Sequence, residues 1–215
     1  MIARFTGAIP ADAVAPNRDP VLRKLQDFAA FRDRLIKDRV ALDNRLQQLD
    51  DPELLDLCRA QRDVIRRAIR TVEQRSRTLI AGHPGLRRNA AILRSAPGLG
   101  FVNVVSFLTD LPELGSLGPK QIASLVGLAP YARQSGRSDR KGRCQGGRVH
   151  PRNALFIAVL TQLRRQPWAR EALDRFVARG KPKMVGIVAL MRKLLLALNA
   201  MIKHDRLWID PPAHA

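Results

Sequence analysis

The stretch that decides the fold spans residues 91–129, AILRSAPGLGFVNVVSFLTDLPELGSLGPKQIASLVGLA. An apolar helical segment is interrupted by PGLG at 97–100, and the strongly apolar run 101–108 follows. The two glycines allow a sharp backbone turn, so this pattern is typical of a helix-hairpin-helix. In that motif the amides at a helix N-terminus bind a DNA phosphate without reading sequence. We therefore predict that Gly98 and Gly100 contact DNA, and a plain tight turn is the open alternative.

The next segment, 130–155, is strongly basic: PYARQSGRSDRKGRCQGGRVHPRNAL. Six arginines and a lysine are offset only by Asp139, and their repulsion would be relieved by a polyanion such as a phosphate backbone. Ser135 lies among these cations, which would stabilise its oxygen as it attacks a phosphate. A solvated, disordered basic loop with an incidental serine is the open alternative. The residues predicted to bind DNA in this loop are Arg133, Arg137, Arg140, Lys141, Arg143, Arg148 and Arg152.

The charge of the whole chain also indicates nucleic acid. Lys and Arg number 38 against 19 Asp and Glu, and residues 91–215 carry 20 basic and 7 acidic side chains. The C-terminal part is therefore the predicted electrostatic footprint. Arginine outnumbers lysine, which suits bidentate phosphate contacts. A genome of high GC content would give the same bias, and that alternative stays open.

Other residue types argue against several classes of protein. Cys58 and Cys144 are isolated, so they predict neither a metal cluster nor a disulfide framework, and the four histidines are scattered. No apolar run reaches membrane-spanning length, and no signal-peptide pattern is present. We expect no metal in this chain, no membrane partner and a cytoplasmic location.

Upstream of residue 91, a helical hairpin is predicted over 21–82. Apolar residues recur every seven positions in both helices, and an aspartate followed by proline restarts the chain between them. Each apolar stripe is narrow, so a further helix, such as one from a second copy, would bury it better. An intramolecular spacer is the open alternative to this homo-oligomer. The recurring positions are Phe28, Leu35, Leu42 and Leu49, then Cys58, Ile65, Val72 and Leu79.

The fold class predicted from these patterns is all-α. A long antiparallel helical hairpin, or coiled coil, is followed by a compact helical domain that contains the helix-hairpin-helix. Pro151 opens a helix, and the apolar helix from Met184 to about Lys203 is predicted to lie in the middle of the C-terminal core. The predicted organisation is a linker at 1–20, the hairpin at 21–82 and the helical domain at 88–208.

Several short motifs occur in an order and spacing found in one protein family. Together they resemble the transposase domain of insertion-sequence family one hundred and ten, the serine-type bacterial transposases guided by a bridge RNA. The resemblance covers most of residues 1–208. The motifs are PGLG at 97–100, GLAP at 127–130, QSG at 134–136, GGR at 146–148, RNAL at 152–155, GKPK at 180–183, MRKLL at 191–195 and the terminal Trp208.

The resemblance implies a transposase whose serine attacks a DNA phosphodiester and becomes covalently linked to it. The matching serine is Ser135, and Arg137, Arg148 and Arg152 are chemical candidates for orienting the phosphate. The family also implies a guide RNA and an N-terminal RuvC-like domain whose four acidic ligands bind a divalent metal such as Mg²⁺.

This sequence departs from the family pattern in two places. Gln134 stands where many relatives have an acidic residue. Residues 1–20 are expected to be the remnant of a linker to a missing RuvC-like domain. The truncated chain is therefore expected to be inactive alone, and a non-catalytic DNA-binding fragment that regulates intact transposase is the alternative function.

Overall fold

The computed structural model describes residues 19–135, 138–144 and 146–210, with the backbone alone over 130–143. This part of the chain is helical except for one pair of short strands, which confirms the predicted all-α class. Two compact units divide the chain, with unit 1 ending at Leu79 and unit 2 beginning at Ile80. The elements are α1 Pro20–Leu46, α2 Pro52–Gly82, α3 Pro84–Ser95, α4 Phe101–Asp110, α5 Pro119–Leu125, β1 Pro130–Ser135, β2 Ser138–Cys144, α6 Val149–Arg165, α7 Pro167–Ala178 and α8 Lys183–Lys203.

Local chemistry sets where the two long helices begin. The Asp19 carboxylate accepts a hydrogen bond from the Val21 amide at 2.8 Å, and Asp51 accepts one from the Leu54 amide at 3.0 Å. A proline follows each aspartate, where its missing N–H costs nothing because the first helical amides have no partner within the helix. The predicted aspartate cap before Pro52 is therefore confirmed at Asp51, and Asp19 is a second cap that was not predicted.

A small apolar core joins α1 and α2 in unit 1. Leu35, Ile69 and Val72 are buried together, and Phe28 and Ile65 pack against them. Four of these five residues were predicted from the sevenfold spacing, and Ile69 was not. The predicted stripe runs too far at one end, because α1 ends before Leu49.

Two ion pairs give the register between these helices. Arg32 Nε lies 2.7 Å from Glu73 Oε1, and Arg62 Nη1 lies 3.6 Å from Asp43 Oδ1. Moving eleven residues forward along α1, from Arg32 to Asp43, moves the partner eleven residues back along α2, from Glu73 to Arg62. The helices are therefore antiparallel, as predicted.

Helix α8 is the centre of unit 2. It packs against α3, α5, α6 and α7, and its buried residues include Leu194, Leu195 and Leu198. The predicted position of this helix in the C-terminal core is confirmed. Among the described residues, α8 is also the one helix with a length and composition that would suit a membrane span. We interpret it as a core helix, because four other helices pack around it.

A buried amide of α8 fixes the connection between α4 and α5. Asn199 accepts a hydrogen bond from the Gly115 amide at 2.8 Å and donates to the Leu117 carbonyl at 2.9 Å. A buried polar side chain is tolerated when its donors and acceptors are paired, and here they pair with loop backbone. Asn199 thus holds the loop onto the core helix.

The basic segment differs from the predicted loop. Residues 130–135 and 138–144 form an antiparallel pair of strands, β1 and β2. Sequence periodicity did not indicate strands, because arginine, serine and glycine give no alternation of apolar and polar residues. The strands pair instead because the backbone segments just before β1 and just after β2 lie close together.

Candidate nucleic-acid interface and serine hairpin

Ser135 is the last residue of β1. The register pairs it with Ser138, the first residue of β2, while Pro130 pairs with Cys144 at the opposite end. We call β1 and β2 the serine hairpin. The two serines are thus neighbours across the strands and lie at the end of the hairpin furthest from the helices that precede and follow it.

Two arginine positions also face each other across the serine hairpin. Arg133 pairs with Arg140 in the backbone register. Like charges at directly opposite positions destabilise a strand pair. Arg137 lies outside the described residues, and only the backbone is described for Arg133, Arg140, Lys141, Arg143 and Ser135, so the predicted roles of all six stay predictions.

The backbone crosses itself closely where the serine hairpin joins the helices. We define the hairpin base as residues 125–127 and 146–148. The Arg148 amide donates to the Leu125 carbonyl at 2.9 Å. Gly127 and Gly147 have φ angles of +76° and +72°, and a Cβ on Gly147 would overlap the Gly127 backbone. Both positions therefore require glycine, for conformation and for space.

Arg148 has a role that its sequence position did not indicate. Its Nη1 lies 2.5 Å from Glu113 Oε2 and its Nη2 lies 2.7 Å from Oε1, so the ion pair is bidentate. Nη1 also donates to the Asp110 carbonyl at 2.9 Å. The prediction that Arg148 orients a DNA phosphate is revised, because these acceptors already engage the guanidinium and join the hairpin base to the end of α4.

This ion pair shifts the pKa of the Glu113 carboxyl. Burial alone would raise its pKa, but the hydrogen bonds from Arg148 and from its own backbone, together with the Arg148 charge, outweigh burial and lower the pKa. The pKa of Arg148 is raised by the same hydrogen bonds. Because the folded pKa of Glu113 lies below the unfolded one, the pair stabilises the fold above the usual glutamate pKa. That contribution is lost as the pH falls through the lowered value.

Arg152 lies one turn further along α6. Its Nη1 donates to the Gly146 carbonyl in the hairpin base. A Cβ on Gly127 would meet this guanidinium at 2.7 Å. The structure thus brings Arg148 and Arg152 together at the hairpin base, and the DNA contact of Arg152 stays a prediction.

The PGLG turn between α3 and α4 is packed against α6. The Gln162 side chain, only 3% exposed, donates to the Pro97 carbonyl at 2.8 Å. Gly98 has a φ of +86°, and a Cβ there would lie 2.5 Å from the Ala158 carbonyl oxygen. A side chain at Gly98 would therefore disrupt this packing, and the predicted contact of Gly98 with DNA stays a prediction.

Gly100 differs from Gly98. It is the N-cap residue of α4, its φ is −76°, and a Cβ there would meet nothing within 4 Å. No side chain caps the N-terminus of α4 at this position. The backbone at Gly100 is thus open to the approach of a ligand, and its predicted contact with a DNA phosphate stays a prediction.

Sequence reasoning missed two polar residues that organise this region, Glu113 and Gln162. Each had a signal. Glu113 is one of only seven acidic residues after position 90, so a specific basic partner for it could have been sought. Gln162 interrupts the apolar face of a helix, where a buried amide needs hydrogen-bond partners.

Metal ligands were also sought in the structure. Over 19–135, 138–144 and 146–210, no group of three or more His, Cys, Asp or Glu side chains is arranged to hold a metal ion. The resemblance places the divalent metal in the RuvC-like domain, so that metal site stays a prediction.

Comparisons with known proteins connect this geometry to a family. Residues 90–174 match the family described as Transposase IS116/IS110/IS902 family. The pilin gene-inverting protein of Moraxella bovis is 36% identical over 132 residues, which cover 60% of this chain and 41% of that protein. The insertion element IS900 uncharacterized 42 kDa protein of Mycobacterium paratuberculosis is 32% identical over 123 residues, 54% of this chain and 30% of that protein.

A third relative is the insertion element IS110 uncharacterized 43.6 kDa protein of Streptomyces coelicolor, 28% identical over 137 residues. That alignment covers 62% of this chain and 33% of the relative. The chain thus spans less than half the length of the curated relatives it matches. The matched segment contains the PGLG turn, the serine hairpin, the hairpin base and α6. Residues 90–174 are therefore similar to the IS116/IS110/IS902 family of transposases.

Proposed function

We propose that the chain acts in DNA transposition or inversion, with unit 2 binding DNA and Ser135 serving as the nucleophile. The match of residues 90–174 to a transposase family supports DNA as the substrate. The Moraxella relatives are named for inverting a pilin gene, which is a rearrangement of DNA. The observation that carries the proposal is the position of Ser135, which ends a strand of a basic hairpin within the matched segment.

The proposed reaction is strand cleavage by transesterification. The Ser135 Oγ forms a bond to phosphorus, the bond from phosphorus to one bridging oxygen of the DNA breaks, and the serine proton passes to that oxygen. One phosphodiester is exchanged for another, so the reverse reaction with a different strand end rejoins the DNA. Cations near the phosphate stabilise the charge that develops on its oxygens.

Arginines of the serine hairpin supply those cations in this proposal. Arg133 and Arg140 face each other in the register, and a phosphate between them would relieve their repulsion. Arg137 follows Ser135 by two residues and would orient the reacting phosphate. Arginine suits this task because its planar guanidinium binds two phosphate oxygens at once.

Helix α6 supports both proposed DNA contacts, which are the serine hairpin and the PGLG turn. Its N-terminal end carries Arg152 and the hairpin base, and its middle carries the residues that hold the PGLG turn. Arg148 and Ala158 are about 15 Å apart along the helix axis at the usual rise per residue. A single DNA segment of a few base pairs would therefore reach both contacts.

The other proposed partners follow from the resemblance. A guide RNA would direct the target, and a RuvC-like acidic domain would bind Mg²⁺. No step of the serine chemistry is assigned here to that ion. We also propose a cytoplasmic location, where such a protein meets bacterial DNA.

Binding to DNA should depend strongly on salt. We expect the affinity of the chain for a short duplex to fall by about a thousandfold between 50 and 200 mM salt, because about six phosphate contacts each release counterions. Replacing Arg133, Arg140 and Lys141 with Ala should make the slope of log affinity against log salt shallower by about three. Fluorescence anisotropy titrations at several salt concentrations measure this slope.

A charge-matched control is available in unit 1. Replacing Arg66, Arg67 and Arg70 of α2 with Ala removes the same charge outside the matched segment. The control should leave the salt slope near that of the natural chain. Equal slopes for both triple variants would contradict DNA binding by the serine hairpin.

We further propose that unit 1 joins two copies of the chain. Helix α2 exposes Leu54, Leu57 and Val64, and Leu57 is 63% exposed. Among the described residues, none of the three belongs to the apolar core that α2 shares with α1. Replacing Leu57 and Val64 with Glu should convert a dimer to a monomer without loss of helix, because charges at a packed apolar contact cost free energy.

Sedimentation equilibrium and circular dichroism measure mass and helix content for this variant. Gln74→Glu, an exposed change on the same helix, is the control and should leave the mass unchanged. A natural chain that is monomeric at all concentrations would contradict the proposed oligomer.

A further inference from the structure

We infer that the Arg148–Glu113 ion pair is a positioning device that sets the direction of the serine hairpin relative to α6. The inference rests on the proposed function only in naming Ser135 as the reacting residue. Four observations support it. The hairpin packs on itself, and its base is rich in glycine. The ion pair ties that base to α4, whereas a similar ion pair elsewhere is not connected to the hairpin base.

The serine hairpin depends on its base for orientation. Among the described residues, β1 and β2 pack against each other and against no helix. The backbone contacts of the two strands therefore do not fix the direction of the hairpin. Its orientation is therefore determined where it joins the helices, at residues 125–127 and 146–148.

The backbone of the hairpin base does not by itself fix one direction. Gly127, Gly146 and Gly147 all have positive φ angles, between +71° and +76°. Glycine loses more conformational freedom on folding than any other residue, and adjacent conformations remain accessible to it at small cost. Additional bonds from side chains are needed to select one arrangement of such a segment.

Arg152 supplies one such bond, to the Gly146 carbonyl, and Arg148 supplies the others that are described. Arg148 directly follows Gly147, and its amide is bonded to the Leu125 carbonyl across the base. Its guanidinium then binds both oxygens of Glu113 and the carbonyl of Asp110. A bidentate pair constrains angles as well as distance, so it fixes the orientation of Arg148 within the hairpin base.

A matched ion pair exists away from the hairpin. Arg88 of α3 binds Asp205 in the same bidentate manner, with Nε 2.7 Å from Oδ1 and Nη2 3.1 Å from Oδ2. Nη2 also donates to the Asp205 carbonyl at 3.0 Å. This pair joins two segments of unit 2 and includes no residue of the hairpin base, so it is a control for the loss of a bidentate ion pair.

The test is hydrogen exchange of the natural chain and of the variants Arg148→Lys, Glu113→Gln and Arg88→Lys. Lysine keeps the charge but loses the bidentate geometry. Amides of 130–135 and 138–144 should exchange about tenfold faster in Arg148→Lys and Glu113→Gln, while amides of α8 keep their rates. The double variant should be no faster than either single one, because both remove the same interaction.

The exposed thiol of Cys144 gives a second measurement at the end of β2. In a Cys58→Ser background, a spin label at Cys144 should become more mobile in Arg148→Lys and stay unchanged in Arg88→Lys. Hairpin amides that keep their rates would overturn the inference. An equal rise in exchange throughout unit 2 would also overturn it, since the pair would then stabilise the unit as a whole.

Exchange and label mobility need no DNA reaction, so they are separate from the proposed function. In a reaction that yields a covalent protein–DNA adduct, Arg148→Lys should slow adduct formation about tenfold or more with DNA affinity unchanged, because small misplacements of a reacting group cost rate. An adduct rate that is unchanged despite a mobile hairpin would overturn the positioning role. Absence of any adduct from the natural chain would count against the proposed function and leave the exchange result standing.

Discussion

Ser135→Ala is expected to abolish the covalent protein–DNA adduct and to leave DNA affinity nearly unchanged. Removal of a nucleophile lowers the rate by about a thousandfold or more, whereas the loss of one hydroxyl removes little binding free energy. The reaction mixture would contain a RuvC-like domain, a guide RNA and Mg²⁺, because the resemblance implies all three. Denaturing gel electrophoresis of labelled DNA measures the adduct, and an electrophoretic shift measures affinity.

The register supplies a control for this experiment. Ser138 pairs with Ser135, so Ser138→Ala makes the same chemical change at the neighbouring position. It should keep the adduct. An adduct that survives in Ser135→Ala and disappears in Ser138→Ala would assign the nucleophile to Ser138. A natural chain that binds DNA without forming an adduct under any of these conditions would favour the alternative of a non-catalytic regulator.

Gly98→Val is expected to lower the free energy of unfolding of unit 2 by about 3 kcal/mol or more. Two costs add: a β-branched residue at a φ of +86° is strained, and its Cβ would lie 2.5 Å from the Ala158 carbonyl oxygen. Chemical denaturation followed by circular dichroism measures the stability. DNA affinity should fall in the same variant because the fold is lost.

Gly100→Val is the matched control, two residues away. Its φ of −76° suits any residue and nothing lies within 4 Å of the added Cβ, so we expect a cost of about 1 kcal/mol from the poorer N-cap. If the N-terminus of α4 binds a phosphate, this variant should lose more affinity than stability. Equal stability of the two variants would contradict the packing role of Gly98.

Much of the helical framework could be predicted from the sequence because its causes are local. Asp19 and Asp51 cap helices through amides two or three residues away, and the prolines that follow them need no distant partner. The sevenfold apolar spacing likewise predicted the contact of Leu35 with Val72, since periodicity identifies one face of each helix. The apolar composition of residues 184–203 was enough to place that helix in a core.

The serine hairpin could not be predicted in the same way. Its strands have no alternating apolar face, and the residues that bring them together lie outside them, at Gly127 and Gly147. These two glycines are distant in sequence and come together in space only when α5 and α6 pack in unit 2. Local preference therefore indicated a loop, and the tertiary structure produced a strand pair that puts Ser135 beside Ser138.

The sequence by itself determined the helices, their caps, the basic character of residues 130–155 and the motifs that resemble a transposase. Only the tertiary structure decided what the individual residues do. Arg148 and Arg152 are alike in sequence, yet Arg148 pairs with Glu113, 35 residues away, and Arg152 does not. Gly98 and Gly100 are alike too, yet only Gly98 meets Ala158. The physical reason is that charge and flexibility belong to a residue, whereas partners and free space are set by segments distant in the chain.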